Sequence, residues 1–262
     1  MGIINVTPDS FYDGGKTASI KQILPQAETM LEEGATFLDI GGYSSRPGAS
    51  HISAAEECSR VTTAVDAIAR RFPEAVLSID TFRSEVARAA VEAGAAMVND
   101  ISAGVMDETM LETVAELQVP YIAMHMRGTP QTMQENTQYD DVLKEVLYYF
   151  SKRLALAREA GIVDVIADPG FGFAKDTQTN FQLLQHLEAF QRLEIPILVG
   201  ISRKSMIYKT LKGAASEALN GTTALHAIAL YKGANILRVH DVKEAVECAK
   251  LVESLKNTPV LY

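Results

Sequence analysis

Val76-Leu77-Ser78-Ile79-Asp80 is an apolar run that ends on a carboxylate. A helix-like stretch over 84–93 follows and stops at Gly94, and the next apolar run, Met97-Val98, ends at Asn99 and Asp100. A continuous apolar run is the pattern of a strand buried on both faces. Strand, helix, strand is a βαβ unit, which builds a parallel sheet.

The same rhythm extends outward in both directions. Upstream, Met1-Gly2-Ile3-Ile4 ends at Asn5 and Phe37-Leu38 at Asp39. Downstream, Tyr121-Ile122-Ala123-Met124 ends at His125 and Val165-Ile166-Ala167 at Asp168. Ile197-Leu198-Val199-Gly200 leads to Ser202, Arg203 and Lys204, and Ile236-Leu237 leads to Arg238 and His240. Between the runs, helical spacing covers 20–33, 53–70 (Ser53 as N-cap, Glu56 at the capping-box position), 108–117, 140–160, 179–191, 217–231 and 242–255. Eight such units without a composition break predict one (β/α)8 TIM barrel, class α/β, over residues 1–262. Met1 stands inside an apolar run, so the chain starts at or inside the first barrel strand and upstream residues are expected. The long connections, 6–19, 41–52, 126–139 and 169–178, all follow strand C-termini, which places the active mouth on that side.

Composition narrows the function. With 262 residues, 47% hydrophobic and 22% charged, the chain has the make-up of a soluble globular protein. A net charge of -9 argues against nucleic-acid binding. It leaves open a small anion held by local Arg and Lys. No bilayer-length apolar run or signal-type segment is present, so no membrane association is expected and the cytoplasm is the expected compartment. Cys58 and Cys248 are far apart and read as buried, hydrophobe-like thiols.

Three residue sets carry chemistry. Arg46, Arg238 and His240 suit an anion, and the last two are one residue apart, facing one way on a strand. Asp80, Asn99 and Asp168 at strand tips need donors and would meet a ligand with an amidine-like edge. Asp100 and Asp241 read instead as helix caps. Lys204 is positioned to donate to a ring or pair with Asp168, and Ser205 to open a helix. The polar first loop carries Asp9, Phe11 and Tyr12 and ends on Gly14-Gly15, like a lid. Asn5 and Asp9 offer oxygens to a hard cation held mainly by substrate phosphates. His226 reads as a core or interface histidine and His186 as a surface one.

Nine segments in register then resemble the dihydropteroate synthase family. They are Asn5-Val6-Thr7-Pro8-Asp9-Ser10-Phe11, Asp39-Ile40-Gly41-Gly42, Ser45-Arg46-Pro47-Gly48, Asp80-Thr81, Val98-Asn99-Asp100, Met124-His125-Met126, Asp168-Pro169-Gly170-Phe171-Gly172-Phe173, Ser202-Arg203-Lys204-Ser205 and Arg238-Val239-His240-Asp241. The resemblance implies a pterin-binding barrel that joins 6-hydroxymethyl-7,8-dihydropterin diphosphate to 4-aminobenzoate. By that resemblance Asp80, Asn99, Met124, Asp168, Gly200, Lys204 and Arg238 hold the pterin. Asn5, Arg238 and His240 hold diphosphate and its Mg2+. Phe11, Ser45, Arg46, Pro47, Phe173, Lys204 and Ser205 surround aminobenzoate, where sulfonamides would compete. It also implies a homodimer, with 218–231 as a contact surface. Tyr43 stands where many members carry Glu, Ser45 where many carry Thr, and Arg83 where Lys is common. Two other readings stay open: a methyltetrahydrofolate-binding corrinoid methyltransferase of the same superfamily, and a catalytically silent barrel subunit.

Overall fold

The computed structural model describes residues 1–6, 15–44 and 52–258. Eight strands alternate with helices. The strands are β1 Gly2–Asn5, β2 Phe37–Gly41, β3 Val76–Asp80, β4 Met97–Asp100, β5 Tyr121–Met124, β6 Val165–Asp168, β7 Leu198–Val199 and β8 Ile236–Leu237. The helices are α1 Gly15–Glu32, α2 Ala54–Arg71, α3 Ser84–Glu92, α4 Met110–Leu117, α5 Val142–Ala160, α6 Thr177–Gln185, α7 Ser205–Thr210, α8 Leu219–Tyr231 and α9 Val242–Asn257.

β1 to β6 form one parallel arc in chain order, and β7 with β8 forms a second. Two seams join the arcs into a ring. At one, Ala167 bridges to Ile197, and at the other Gly2 bridges to Val239. Ile3 N donates to Val239 O and Val239 N to Met1 O, both at 2.9 Å. The expected barrel is therefore present, closed by bridges at the seams and by ladders elsewhere.

The period of two along each strand sorts the core into layers. Ile4, Leu38, Ile40, Leu77, Ile79, Val98, Tyr121 and Val199 face the helices, in one large apolar cluster. Met1, Met97, Ile122, Ile166 and Leu198 fill the barrel interior at the N-terminal end. Such filling makes the barrel a packed core and not a pore. One step further along β2, β3, β4 and β6, and just past β8, the inward residues turn polar, as Asp39, Asp80, Asn99, Asp168 and Arg238, while β5 presents Met124 and β7 leads to Gly200.

Helix boundaries follow the expected signals, with two marked differences. α1 starts five residues before the expected 20, at Gly15. The stretch expected as one helix over 179–191 divides into α6 and a 3-10 turn over Leu187–Leu193. There the apolar residues Leu187, Phe190 and Leu193 recur every three residues, the period of a 3-10 helix. Ser205 opens the short α7, as expected. Ser53 caps α2 by accepting from Glu56 N at 3.2 Å.

Candidate active site

Asp39 sits at the middle of the polar layer. It is an acid inside an apolar strand, turned inward by the pleat and fully buried. Its Oδ2 accepts from Asn99 Nδ2 on β4 at 2.9 Å and from Arg238 Nε, just past β8, at 2.6 Å. Arg238 Nη2 donates to Asp80 at the end of β3, also at 2.6 Å. Asp39 Oδ1 is buried without a hydrogen-bond partner among the described residues. Burial opposes the Arg238 charge, but Asp39 and Asp80 outweigh it and hold the guanidinium protonated. Burial pushes the Asp80 carboxyl above its ordinary range, with Arg238 pulling the other way.

The sequence set an anion site against a structural Arg–Asp pair at Arg238. The structure shows the pairing, and the pairing leaves one edge over. Nε and Nη2 engage carboxylates, while Nη1 has no hydrogen-bond partner among the described residues.

On the far side of the mouth stands Asp168, at the tip of β6. Its Oδ1 accepts from Gly170 N at 2.8 Å. Its Oδ2 and the Lys204 Nζ each lie 3.8 Å from where a Cβ on Gly200 would sit. The bare glycine thus floors a small space between an acid and an amine. Lys204 does not form the direct ion pair with Asp168 that the sequence offered. It donates instead to Phe171 O, and its Nζ lies 4.7 Å from the centre of the Phe173 ring. Burial lowers the Lys204 pKa to about 8, opposed by Asp168. Burial raises Asp168, opposed chiefly by Lys204. Met124, buried at the tip of β5, adds an apolar wall shared with Tyr43, Phe82, Ile101 and Met126. The rim therefore offers carboxylate acceptors, an amine and a guanidinium edge around a flat apolar surface.

His240 is exposed at the mouth, and its Nδ1 lies 3.0 Å from Ser202 Oγ, which orients the ring. Asn5 Oδ1 and Asp80 Oδ2 each lie 3.6 Å from a notional Cβ on Gly41, so both oxygens converge over that residue. Ser205 follows Lys204 as the first residue of α7. Asp9, Phe11, Ser45, Arg46 and Pro47 lie outside the described residues.

Two capping assignments need correction. Asp241 makes no side-chain cap to α9 but pairs with Arg203, at 2.8 Å to Nε and 2.6 Å to Nη2. A cation at the end of the neighbouring strand competes better than the backbone of the helix that Asp241 precedes. Asp100 caps a turn and not a helix. It faces the helical layer, accepting from Ser102 N at 2.7 Å, Gly104 N at 2.6 Å and Tyr121 Oη at 2.7 Å. His226 is buried, as expected, and His186 is exposed.

The sequence reading missed three groups. Asp39 carried a signal: a charged residue flanked on both sides by buried apolar ones. Glu57 on α2 is fully buried and takes Arg83 Nη1 at 2.7 Å and Thr81 Oγ1 at 2.8 Å. Arg83 in turn donates to Ile52 O at 2.9 Å. Tyr43 packs edge-on against Phe82 at 5.1 Å, and its hydroxyl accepts from Gln131 Nε2 at 2.9 Å. Tyr43 and Ile52 flank the second loop, so both of its shoulders are tied to the barrel. The third group is Lys175, whose burial no local pattern announced.

Fold and rim together define a parallel-barrel enzyme of the (β/α)8 class, with binding groups at the C-terminal ends of its strands. The sequence profile described as "Pterin binding enzyme" matches residues 1–240. The chain is 47% identical over 256 residues to dihydropteroate synthase of Escherichia coli K12, covering 97% of this chain and 90% of the other. A Yersinia pestis dihydropteroate synthase solved with a sulfonamide drug superposes with a TM-score of 0.92 at 42% identity, covering 98% of this chain and 94% of that one. A Xanthomonas albilineans dihydropteroate synthase solved with 4-aminobenzoic acid gives 0.91 at 41% identity, covering 98% and 93%. The chain belongs to the dihydropteroate synthase family of pterin-binding enzymes.

Proposed function

We propose that the protein condenses 6-hydroxymethyl-7,8-dihydropterin diphosphate with 4-aminobenzoate, giving 7,8-dihydropteroate and diphosphate. One observation carries the reading: acceptors suited to a nitrogen heterocycle and a cation suited to a polyanion share one rim. Asp168 and Asp80, aided by Asn99 and Lys204, hold the pterin edge, and Met124 packs along its face. Arg238 offers Nη1, and His240 its ring, to the diphosphate.

The C–O bond to diphosphate breaks with its electron pair leaving on oxygen. The charge left on the pterin methylene is tolerated because the ring is held by carboxylates, a preorganised electrostatic effect. The aminobenzoate nitrogen then forms the C–N bond, and its proton passes to water. This route needs no protein nucleophile, and the Ser202–His240 contact on the rim serves to orient the imidazole. Phe173, Lys204 and Ser205, with Phe11, Ser45, Arg46 and Pro47 of the first two loops, form the aminobenzoate side, where a sulfonamide would compete.

The residues fit a Mg2+ carried in by the diphosphate. Among the described residues no cluster of three His, Cys, Asp or Glu forms a protein cage. Asn5, with its amide oxygen converging on Asp80, is the donor the chain would add, and Asp9 belongs to the same reading. Bound there, the cation would neutralise diphosphate charge.

The protein acts as a homodimer on this reading, through α8 and its neighbour α9. Ile228, Tyr231, Leu251 and Leu255 are large apolar residues exposed on those helices. The reaction belongs to the cytoplasm. In support, Cys58 and Cys248 are free thiols, and among the described residues no helix is long and apolar enough to cross a membrane.

A diphosphate-release assay with both substrates and Mg2+ tests the activity. Release should require both substrates, and calorimetry should show no pterin binding to Asp168→Ala. Normal pterin affinity in that variant refutes the assignment.

A further inference from the structure

Lys175 is a lysine with almost no solvent contact, 3% exposed, on the loop between β6 and α6. Its Nζ has three partners: His125 Nδ1 at 2.9 Å, Gly170 O at 3.0 Å and Phe173 O at 3.1 Å. Burial pushes the Lys175 pKa well below its ordinary value, against the pull of Asp168. The three partners satisfy either form: an ammonium donates to all three, with His125 protonated on Nε2, whereas a neutral amine donates to the two carbonyls and accepts from His125 Nδ1–H. The surroundings favour the neutral imidazole. Burial first, then Lys175 and Arg127, push the His125 pKa well below its ordinary value. The imidazole is also fixed in place. It packs edge-on against Tyr149 at 4.8 Å, and His125 N donates to Asp168 O at 3.0 Å.

The loop held this way has a conformation it would not keep unaided. Ala174, a residue with a Cβ, sits at φ +49°. Its carbonyl accepts from Tyr139 Oη at 2.9 Å. Asn180 ties the other flank, accepting from Gly172 N at 2.7 Å and donating to Lys175 O at 3.1 Å. Between these ties run Phe171, whose carbonyl takes Lys204, and Phe173, whose ring lies under the Lys204 amine. Two lysines thus grip one short segment from opposite sides. Lys204 reaches it from the mouth, and Lys175 from the protein interior.

We propose that Lys175, braced by His125, is a positioning residue for the acceptor half of the reaction: it sets the 170–173 backbone so that Phe173 and Lys204 face the incoming aromatic amine. This rests on the condensation proposed above. Lys175 touches no substrate and acts through the segment it holds. Most of the pterin side is anchored elsewhere, by Asp39, Asp80, Asn99 and Arg238 on other strands, and Asp168 keeps its place through the β6 ladder even though its Oδ1 takes Gly170 N. Loss of Lys175 should therefore divide the two substrates.

The test compares Lys175→Met with Lys175→Gln. Met removes every donor, whereas Gln keeps an amide with two. With folding checked by circular dichroism, steady-state kinetics give the aminobenzoate KM and kcat, and calorimetry gives the pterin diphosphate Kd. Lys175→Met is expected to raise the aminobenzoate KM at least tenfold with the pterin Kd within threefold. Lys175→Gln should recover part of that loss. If Lys175→Met fails to fold, Lys175→Gln must itself raise the aminobenzoate KM at least threefold with the pterin Kd unchanged. An unchanged aminobenzoate KM, an equal loss for both substrates, or a Gln variant as impaired as Met overturns the proposal. Wild-type protein in the same assay separates the two ideas. No diphosphate release by wild type refutes the condensation itself, and the acceptor role with it. Turnover by wild type with an unmoved KM in the variants refutes the role of Lys175 alone.

Discussion

Replacing Gly170 with alanine asks the loop after β6 to accept a methyl group where the backbone leaves no room. Gly170 has φ +72°, and a Cβ added there would lie 2.0 Å from His125 O. The obstacle is a carbonyl, not a side-chain tip that can swing aside. His125 cannot retreat, because its N–H is bonded to Asp168 O and its ring to Lys175. The left-handed conformation alone costs an L-residue roughly 1–2 kcal/mol. Relieving the clash requires lifting the loop by about 1 Å. That movement breaks the hydrogen bond from Gly170 N to the buried Asp168 carboxylate, worth roughly 1–3 kcal/mol. Together these predict a destabilisation of about 2–5 kcal/mol. Gly161 supplies the control. It ends α5 at φ +96° with no atom within 4 Å of a notional Cβ, so Gly161→Ala should cost only about 1–2 kcal/mol. Urea unfolding followed by circular dichroism compares the two directly, through midpoints at a constant slope. Gly170→Ala should also lose pterin affinity. Equal midpoints for the two variants would refute the argument that His125 O is immovable.

Three further outcomes are expected. Asp39→Asn keeps the shape but removes the charge that anchors Arg238 and Asn99, so pterin diphosphate affinity should fall by about 1.5–3 kcal/mol, read by calorimetry; full affinity would show Asp39 to be dispensable. His226 is buried in α8, its Nε2 has no hydrogen-bond partner among the described residues, and burial lowers its pKa from 6.5 to about 4. The unfolded chain therefore takes up a proton below pH 6.5 that the folded chain refuses until about pH 4. Stability should accordingly fall as pH drops through that window, by about 2 kcal/mol between pH 7 and pH 5. His226→Phe should flatten this slope in urea titrations, and an unchanged slope assigns the loss elsewhere. Finally, Ile228→Glu with Tyr231→Glu should convert a dimer to a monomer in light scattering, whereas a dimer that survives both changes places its interface away from α8.

Most of the fold was legible because parallel strands advertise themselves. Leu77-Ser78-Ile79 and Val165-Ile166-Ala167 are buried on both faces, and Gly94 and Gly161 punctuate the helices. The split of α6 from its 3-10 turn was not legible, since helical spacing and a three-residue period overlap over so few positions. At the site, Asp80, Asp168, Lys204 and Arg238 could be placed from their strand-tip positions. Their pairings could not, because Arg238 meets Asp39 across 199 residues of sequence. Which of two acceptors Lys204 chooses depends on a loop backbone, and a residue pattern does not encode that. Asp39 was the most readable omission: an acid within Phe37-Leu38-Asp39-Ile40 is costly unless a cation meets it.

The division of the ring into a long arc and a short one gives the rim an unexpected asymmetry. Asp39, Asp80 and Asp168 all belong to the six-strand arc, while Lys204, Arg238 and His240 all follow the two strands of the other. Charge attraction therefore acts across the very joints where the ladders are thinnest, with Arg238 reaching from one arc to two strands of the other. Closing the ring and assembling its electrostatics are one event. A ligand that engages both signs at once acts as a clasp, and slowed amide exchange at Ile3, Ala167 and Val239 on ligand addition would report it.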